Sequence, residues 1–211
     1  MSTIPPVYTD LPLFPLHTVL FPDGLLPLKI FEARYLDMAR DCLRETKPFG
    51  VCLLKSGAEV AQVDEPSVPE TVGCLAEIEQ CDVDEHGMLL VQARGTRRFK
   101  LTAVRTEPSG LLIGDAVPIA DDVPLEGTEA LAKFGACAEV LERIITTIVE
   151  RDPDSIPFAQ PLRFDDPTWV SNRLAEILQI PPKTRQKLME LQDTNARIDC
   201  VHHYMVQHQL L

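Results

Sequence analysis

Between Ser56 and Ala93 the sequence has no lysine or arginine at all. That window holds nine acids (Glu59, Asp64, Glu65, Glu70, Glu77, Glu79, Asp82, Asp84 and Glu85), and the whole chain carries a formal charge of −12. A surface of that sign repels phosphate, the main source of nucleic-acid affinity, so RNA and DNA are not expected as partners. The one basic cluster, Arg94, Arg97, Arg98 and Lys100, falls on a predicted strand pair, where alternation sends neighbouring residues to opposite faces. No apolar run approaches the ~20 residues of a membrane-spanning helix. The opening MSTIPPVYTD has neither the basic nor the apolar region of a signal peptide. A cytoplasmic chain with no membrane partner is the expectation. The six cysteines, at 42, 52, 74, 81, 137 and 200, contain no C-x-x-C pair and read as reduced, mostly buried small hydrophobes.

Catalytic signatures are missing too. No glycine is followed by lysine, which rules out the phosphate-cradling G-x-x-x-x-G-K-[ST] loop. A G-x-S-x-G elbow, an H-E-x-x-H helix and a G-x-G-x-x-G turn are likewise absent. Asp82, Asp84, His86 and Gly87 imitate half of a calcium loop, but Ala93 stands where that loop needs its bidentate glutamate, so an acidic hairpin turn is expected. On a helix His202, His203 and His208 have no pair at three- or four-residue spacing, so they are not expected to share a metal. His17 reads as structural. The expectation is a chain that is not an enzyme, with no cofactor and no metal.

What the chain does have is a distinctive stretch from Leu11 to Tyr35, LPLFPLHTVLFPDGLLPLKIFEARY. Two short apolar runs, Leu11 to Leu16 and Leu25 to Ile30, flank a Phe21-Pro22-Asp23-Gly24 turn, with prolines at 12, 15, 22 and 27. Proline offers no ladder donor, so both runs are expected to be edge strands that lead into a helix starting near Phe31. Phe31, Tyr35, Met38, Ala39, Cys42 and Leu43 recur at helical spacing and predict an amphipathic helix over 32–45, stopped by Pro48. Strands are then expected at Phe49 to Leu54, Val72 to Cys81, Met88 to Thr96, Arg98 to Val104 after a break at Gly95, and Leu111 to Val117. Residues 55–71 are expected to be a long acidic loop. Short strands with turns between them argue for an antiparallel, barrel-like sheet.

From about residue 121 the pattern becomes helical. Leu131, Phe134, Ala138, Leu141, Ile144, Ile145 and Ile148 step along a long amphipathic helix, and Asp166-Pro167 is a cap-and-first-turn signal for a helix through Leu178. Leu188, Leu191, Ile198, Val201 and Met205 make one stripe, which predicts a single helix from Pro182 to about Gln209, roughly 40 Å long at 1.5 Å per residue.

The stretch Leu11 to Tyr35 resembles the opening of the Lon N-terminal domain family, the substrate-binding domain of ATP-dependent Lon proteases. The FEARYLDM run at Phe31 to Met38 resembles stand-alone bacterial members of that family. FGV at Phe49, GCLAEIEQC from Gly73 and GTRRFKL from Gly95 extend the likeness over most of 10–118, and LAEILQIPPKTRQKLMELQDTNARI resembles the helical part that follows. The resemblance implies an α+β fold: a PUA-like, mainly antiparallel pseudo-β-barrel with one helix over 1–120, followed by an α-helical subdomain over 121–211. It also implies a non-enzymatic, ATP-independent module in protein quality control or proteolysis, whose partners are unfolded or extended protein segments and a protease supplied in trans.

Two sets of residues are candidates for the site. Phe14, Phe21, Phe31, Tyr35 and Phe99 are candidate peptide-binding aromatics, with core packing as the competing reading. Glu32, Arg34, Glu59 and Arg98 are candidates for a polar pocket near the barrel edge, which would suit the alternative of a small-molecule sensor or an enzyme of unfamiliar chemistry. A third reading is oligomerisation through the C-terminal helix.

Overall fold

The computed structural model describes residues 8–57, 59, 67–85, 87–152 and 156–211. Two compact units divide the chain after Ile119. The first contains β1 (Tyr8–Leu16), β2 (Leu25–Ile30), α1 (Ala33–Glu45), β3 (Phe49–Ser56), β4 (Val68–Val83), β5 (Leu89–Thr106) and β6 (Leu112–Pro118). The second contains α2 (Thr128–Arg151), α3 (Pro167–Ile177), α4 (Pro182–Glu190) and α5 (Thr194–Gln207). The architecture is α+β. Of the loop expected over 55–71, residues 58 and 60–66 lie outside the described residues, as does His86 of the acidic turn; the expected loop is shortened at both ends, because β3 runs through Ser56 and β4 begins at Val68. No described helix is long and apolar enough to cross a membrane.

In the first unit six strands pair in the order β2-β5-β4-β3-β1-β6, and a further β5–β6 pairing closes part of the sheet on itself. β1 and β3 are parallel and the other pairings are antiparallel. Side-chain alternation sorts the apolar residues into two cores. Leu11, Leu13, Cys52, Leu75, Phe99, Leu101, Leu112 and Ala116 fill one face of the sheet. Phe14, Leu16, Phe49, Val51, Cys74, Ala76, Val91 and Ala93 lie on the other, where Tyr35, Met38, Ala39 and Cys42 of α1 cover them. The Phe99 ring is accommodated because Gly50 and Gly73 face it; a Cβ at either would lie 2.8 Å or 2.6 Å from its Cζ.

Two expectations about strands need correction. β1 is not an edge strand, since β6 pairs with it over Tyr8 to Leu13 and β3 over Leu13 to Leu16. Pro12 pairs only with β6 and Pro15 only with β3, so each has an open side, toward which a missing N–H costs no ladder bond. β5 is one strand across Gly95, and the irregularity lies in its pairing with β4 between Cys74 and Ala76. β2 is an edge, as expected. Phe21 to Gly24 forms the expected turn: Gly24 N donates to the Phe21 carbonyl at 3.0 Å, and Asp23 takes a positive φ of 61° at the position a type II turn requires.

The second unit packs Cys137, Val140, Leu141 and Ile145 of α2 with α3 and α5. Asp166 caps α3 by accepting from Trp169 N at 3.0 Å, and Trp169 meets Phe158 and Phe164 edge-on at 6.0 and 5.9 Å. The single long C-terminal helix does not exist. α4 ends at Glu190, Leu191 leaves the helical region, and Asp193 caps a new helix by accepting from Ala196 N. The break releases the Leu191 carbonyl, which accepts from the Arg197 guanidinium at 2.7 Å. A continuous helix would have consumed it.

Cys42, Cys52, Cys74 and Cys137 are buried, while Cys81 and Cys200 are exposed. Burial pushes the Cys42 thiol up to about 11 and that of Cys137 to about 12, with Cys52 raised further still. Thiolate is the reactive species. The native chain is therefore expected to release two equivalents rapidly with an aromatic disulfide reagent, and six after denaturation. Rapid native reaction of more than two would contradict this packing.

Candidate functional site

The open side of β2 faces a cavity of about 280 Å³. Its walls come from the end of β1 (Phe14, Leu16), from β2 (Leu26, Leu28, Ile30), and from Phe31 and Tyr35 at the start of α1. Glu32, Glu59 and Lys29 supply the charged lining. Such a site arises because the organising stretch folds back on itself. The turn at 21–24 sends β2 to pair with β5 alone, so β1 and β2 stay unpaired with each other and the gap between them is the cavity.

The aromatic candidates separate sharply. Phe21 and Phe99 are wholly buried in the packed core, and Phe14 and Tyr35 are buried with their rings edge-on at 4.0 Å. Phe31 is 58% exposed, the one large aromatic among the described residues left in solvent. Helical spacing had grouped it with Tyr35, but it precedes the first turn of α1 and so escapes that face. Phe14, Phe31 and Tyr35 line the cavity; Phe21 and Phe99 do not. The apolar β2 residues Leu26, Leu28 and Ile30 were missed as lining, although the proline at 27 and the missing second strand partner mark their strand as an edge.

Three of the four polar candidates come together. Arg34 pairs with Glu32 at 3.0 Å and donates to the carbonyls of Gly110 at 2.8 Å and Glu59 at 3.2 Å. Its guanidinium carbon lies 4.4 Å above the Tyr35 ring. The Glu59 carboxylate accepts the backbone N–H of His17. Arg34 therefore ties α1 to the β3–β4 loop and the β5–β6 turn, and its own charge is spent on that. Arg98 is buried on β5 opposite Cys74 and lines neither this cavity nor the larger cleft described next. The Tyr35 hydroxyl is held neutral, its pKa pushed up to about 12 chiefly by burial; Arg34 lowers it, and Glu32 and Glu59 raise it.

On the other side of Arg34 a cleft of about 820 Å³ runs between α1 and the β1–β6 pair, with Asp10, Asp37, Asp41, Glu45 and Glu107 outweighing Arg34 and Lys47. The basic cluster is dispersed: Arg94 pairs with Asp23 at 2.7 Å and Glu79 at 3.5 Å, Arg98 is buried, and Arg97 and Lys100 are exposed. Among the described residues no group of three histidine, cysteine or acidic side chains is placed to hold a metal ion.

The family model for the ATP-dependent protease La (LON) substrate-binding domain matches residues 10–207. A Lon N-terminal domain protein from Xanthomonas campestris, known from its crystal structure, is 34% identical, with a TM-score of 0.70 over 92% of this chain and 97% of that one. The N-terminal domain of a Mycobacterium avium complex Lon protease shares the fold at 15% identity, with a TM-score of 0.65 over 94% and 99% of the two chains. The Lon protease of Anaeromyxobacter dehalogenans (strain 2CP-C) is 26% identical over 201 residues. That alignment takes in 90% of this chain but 22% of the relative, so the chain spans under a quarter of that protein's length. With the mixed sheet, the unpaired β2 edge and the helical second unit in place, the chain belongs to the LON substrate-binding domain family.

Proposed function

We propose that this chain is a non-enzymatic polypeptide-binding module, which holds unfolded or extended segments of other proteins without ATP and presents them to a protease supplied in trans. The observation that carries the reading is exposed Phe31 beside an apolar cavity whose acids are already engaged. Apolar surface of this kind, continuous with the open edge of a strand, suits a peptide. Family membership supports substrate recognition; the absence of ATP and the trans-acting protease belong to the proposal.

The test is binding of the full chain to a reduced, unfolded model protein and to an immobilised peptide array, without ATP, at two salt concentrations. Micromolar capture of apolar segments that changes little with salt is the expected result. Phe31→Ala should weaken capture about fivefold or more, the effect of losing an interface residue worth over ~1 kcal/mol. Its melting temperature should barely move, since the ring is mostly in solvent. Absence of capture, or capture lost at moderate salt, overturns the reading.

A second reading has one observation in its favour, the larger and more polar cleft of about 820 Å³ beside Arg34. A small charged ligand there would raise the melting temperature by mass action in a metabolite screen, and Phe31→Ala would leave that shift intact.

A further inference from the structure

The open edge of β2 has a definite hydrogen-bonding pattern. Gly95 N donates to the Gly24 carbonyl at 2.9 Å, and Leu25 stands opposite Arg94 in the register. Antiparallel alternation then turns the backbone groups of Leu26, Leu28 and Ile30 toward β5 and those of Leu25, Pro27 and Lys29 outward. Pro27 therefore sits where its missing N–H breaks no bond of the sheet. Outward, the edge presents a donor and an acceptor at Leu25, an acceptor alone at Pro27, and a donor and an acceptor at Lys29. A proline and a lysine also deter indiscriminate edge pairing, so a strand that docks here must match this spacing.

Side-chain chemistry narrows the occupant. Leu26, Leu28 and Ile30 point to the cavity side, where Phe14, Leu16 and Tyr35 complete apolar walls. Glu32 and Glu59 in the lining repel an acidic side chain, and the apolar walls would strip water from any charge placed among them, so the cavity favours an uncharged occupant. An engineered apolar cavity of ~150 Å³ holds a benzene, so about 280 Å³ admits one large apolar side chain. Lys29 borders the cavity along the strand edge, while alternation turns its side chain to the other face; it is exposed, and no ion pair of Lys29 occurs among the described residues. Directly opposed unlike charges on neighbouring strands attract.

We propose that β2 is the docking edge for the polypeptide reading above: an extended segment of another protein adds to it as a further strand, sets one large uncharged side chain in the cavity, and places an acidic residue across from Lys29. This deepens the polypeptide-binding reading and rests on it. Binding is then main-chain recognition with two side-chain preferences, which would let one module accept many clients.

A fluorescein-labelled peptide, Thr-Val-Glu-Phe-Glu-Val-Thr, reads the same in either strand direction at the level of side chains and tests the geometry by anisotropy with the full chain. Strand addition predicts a parity effect. N-methylation of one alternate set of peptide amides should weaken binding about tenfold or more, from losing hydrogen bonds worth ~1 kcal/mol each. Methylation of the other set should weaken it far less. Replacing the central phenylalanine with glutamate should abolish binding. Exchanging both glutamates for lysines should weaken binding about two- to fivefold, and Lys29→Glu should reverse that order. If the probe binds and the methylation scan is flat, or Lys29→Glu leaves the order unchanged, strand addition at β2 is overturned while polypeptide binding stands. If neither the probe nor any array peptide binds, both fall. If sedimentation equilibrium shows a dimer that Lys29→Pro dissolves, the occupant of the edge is a second copy of this chain and the proposal is overturned.

Discussion

Arg197→Ala is expected to destabilise the second unit by about 3–5 kcal/mol, the cost of breaking a buried ion pair from one side. Arg197 is almost completely buried on α5. Its guanidinium pairs with Asp122, donates from Nε to Ser171 Oγ at 3.0 Å, and donates to the Leu191 carbonyl at 2.7 Å. Truncation removes the cation from a carboxylate that is itself nearly buried, and strips donors from two further oxygens. The arrangement joins α5 to α3, to the α4–α5 break and to the segment entering the unit, so its loss should be felt throughout that unit. Trp169, the one tryptophan of the chain, lies on α3 and reports denaturant unfolding of this unit directly. Arg197→Lys should recover part of the loss, because an ammonium restores the charge but not the three-way fork. A shift below about 1 kcal/mol for Arg197→Ala would mean that the pair is solvated and does not hold the helices together.

Gly95→Ala is expected to cost about 3 kcal/mol or more in the first unit, at the upper end of overpacking effects. A Cβ at that position would lie 2.2 Å from the Phe21 carbonyl oxygen, which is backbone and cannot rotate away. Nor can the turn retreat cheaply: Gly95 accepts from Asp23 N at 2.8 Å and donates to the Gly24 carbonyl at 2.9 Å, while Arg94 holds the Asp23 carboxylate. Relief would have to come from peeling β2 off β5, and β2 is a wall of the cavity. Peptide capture should therefore fall along with the melting temperature. Gly135→Ala in α2 is the contrasting substitution, since a Cβ there meets nothing within 4 Å. It should be neutral or stabilising by up to ~1 kcal/mol, the helix-propensity gain over glycine. If the two alanine variants melt alike, the close approach at Gly95 is not a constraint on the fold.

Most of the elements were legible in the sequence. The α1 face of Tyr35, Met38, Ala39 and Cys42, the Phe21–Gly24 turn, the Asp166 cap and the long amphipathic α2 all follow from periodicity and local hydrogen bonding. These are short-range effects, decided within a few residues of each position. Proline logic succeeded for β2 and failed for β1 for the same reason: it reports where a donor is missing, and only the arrangement of neighbouring strands says whether a donor was needed there. The break between α4 and α5 was hidden because Leu188, Leu191 and Ile198 keep an apolar stripe across it, while what favours the interruption is a carbonyl claimed by Arg197.

The candidate site divides along the same line. By itself the sequence determined the family, the strand-rich first half and helical second half, and the concentration of aromatic and proline residues around Leu11 to Tyr35. Tertiary structure alone decided which aromatics are available, burying Phe21 and Phe99 and leaving Phe31 in solvent. It also decided that Glu59 meets His17 and Arg34 while Arg98 turns into the interior. A residue's type fixes what it can bond to or exclude, but its exposure and its partners depend on which distant strand closes over it, and that is settled by the pairing order of the whole sheet.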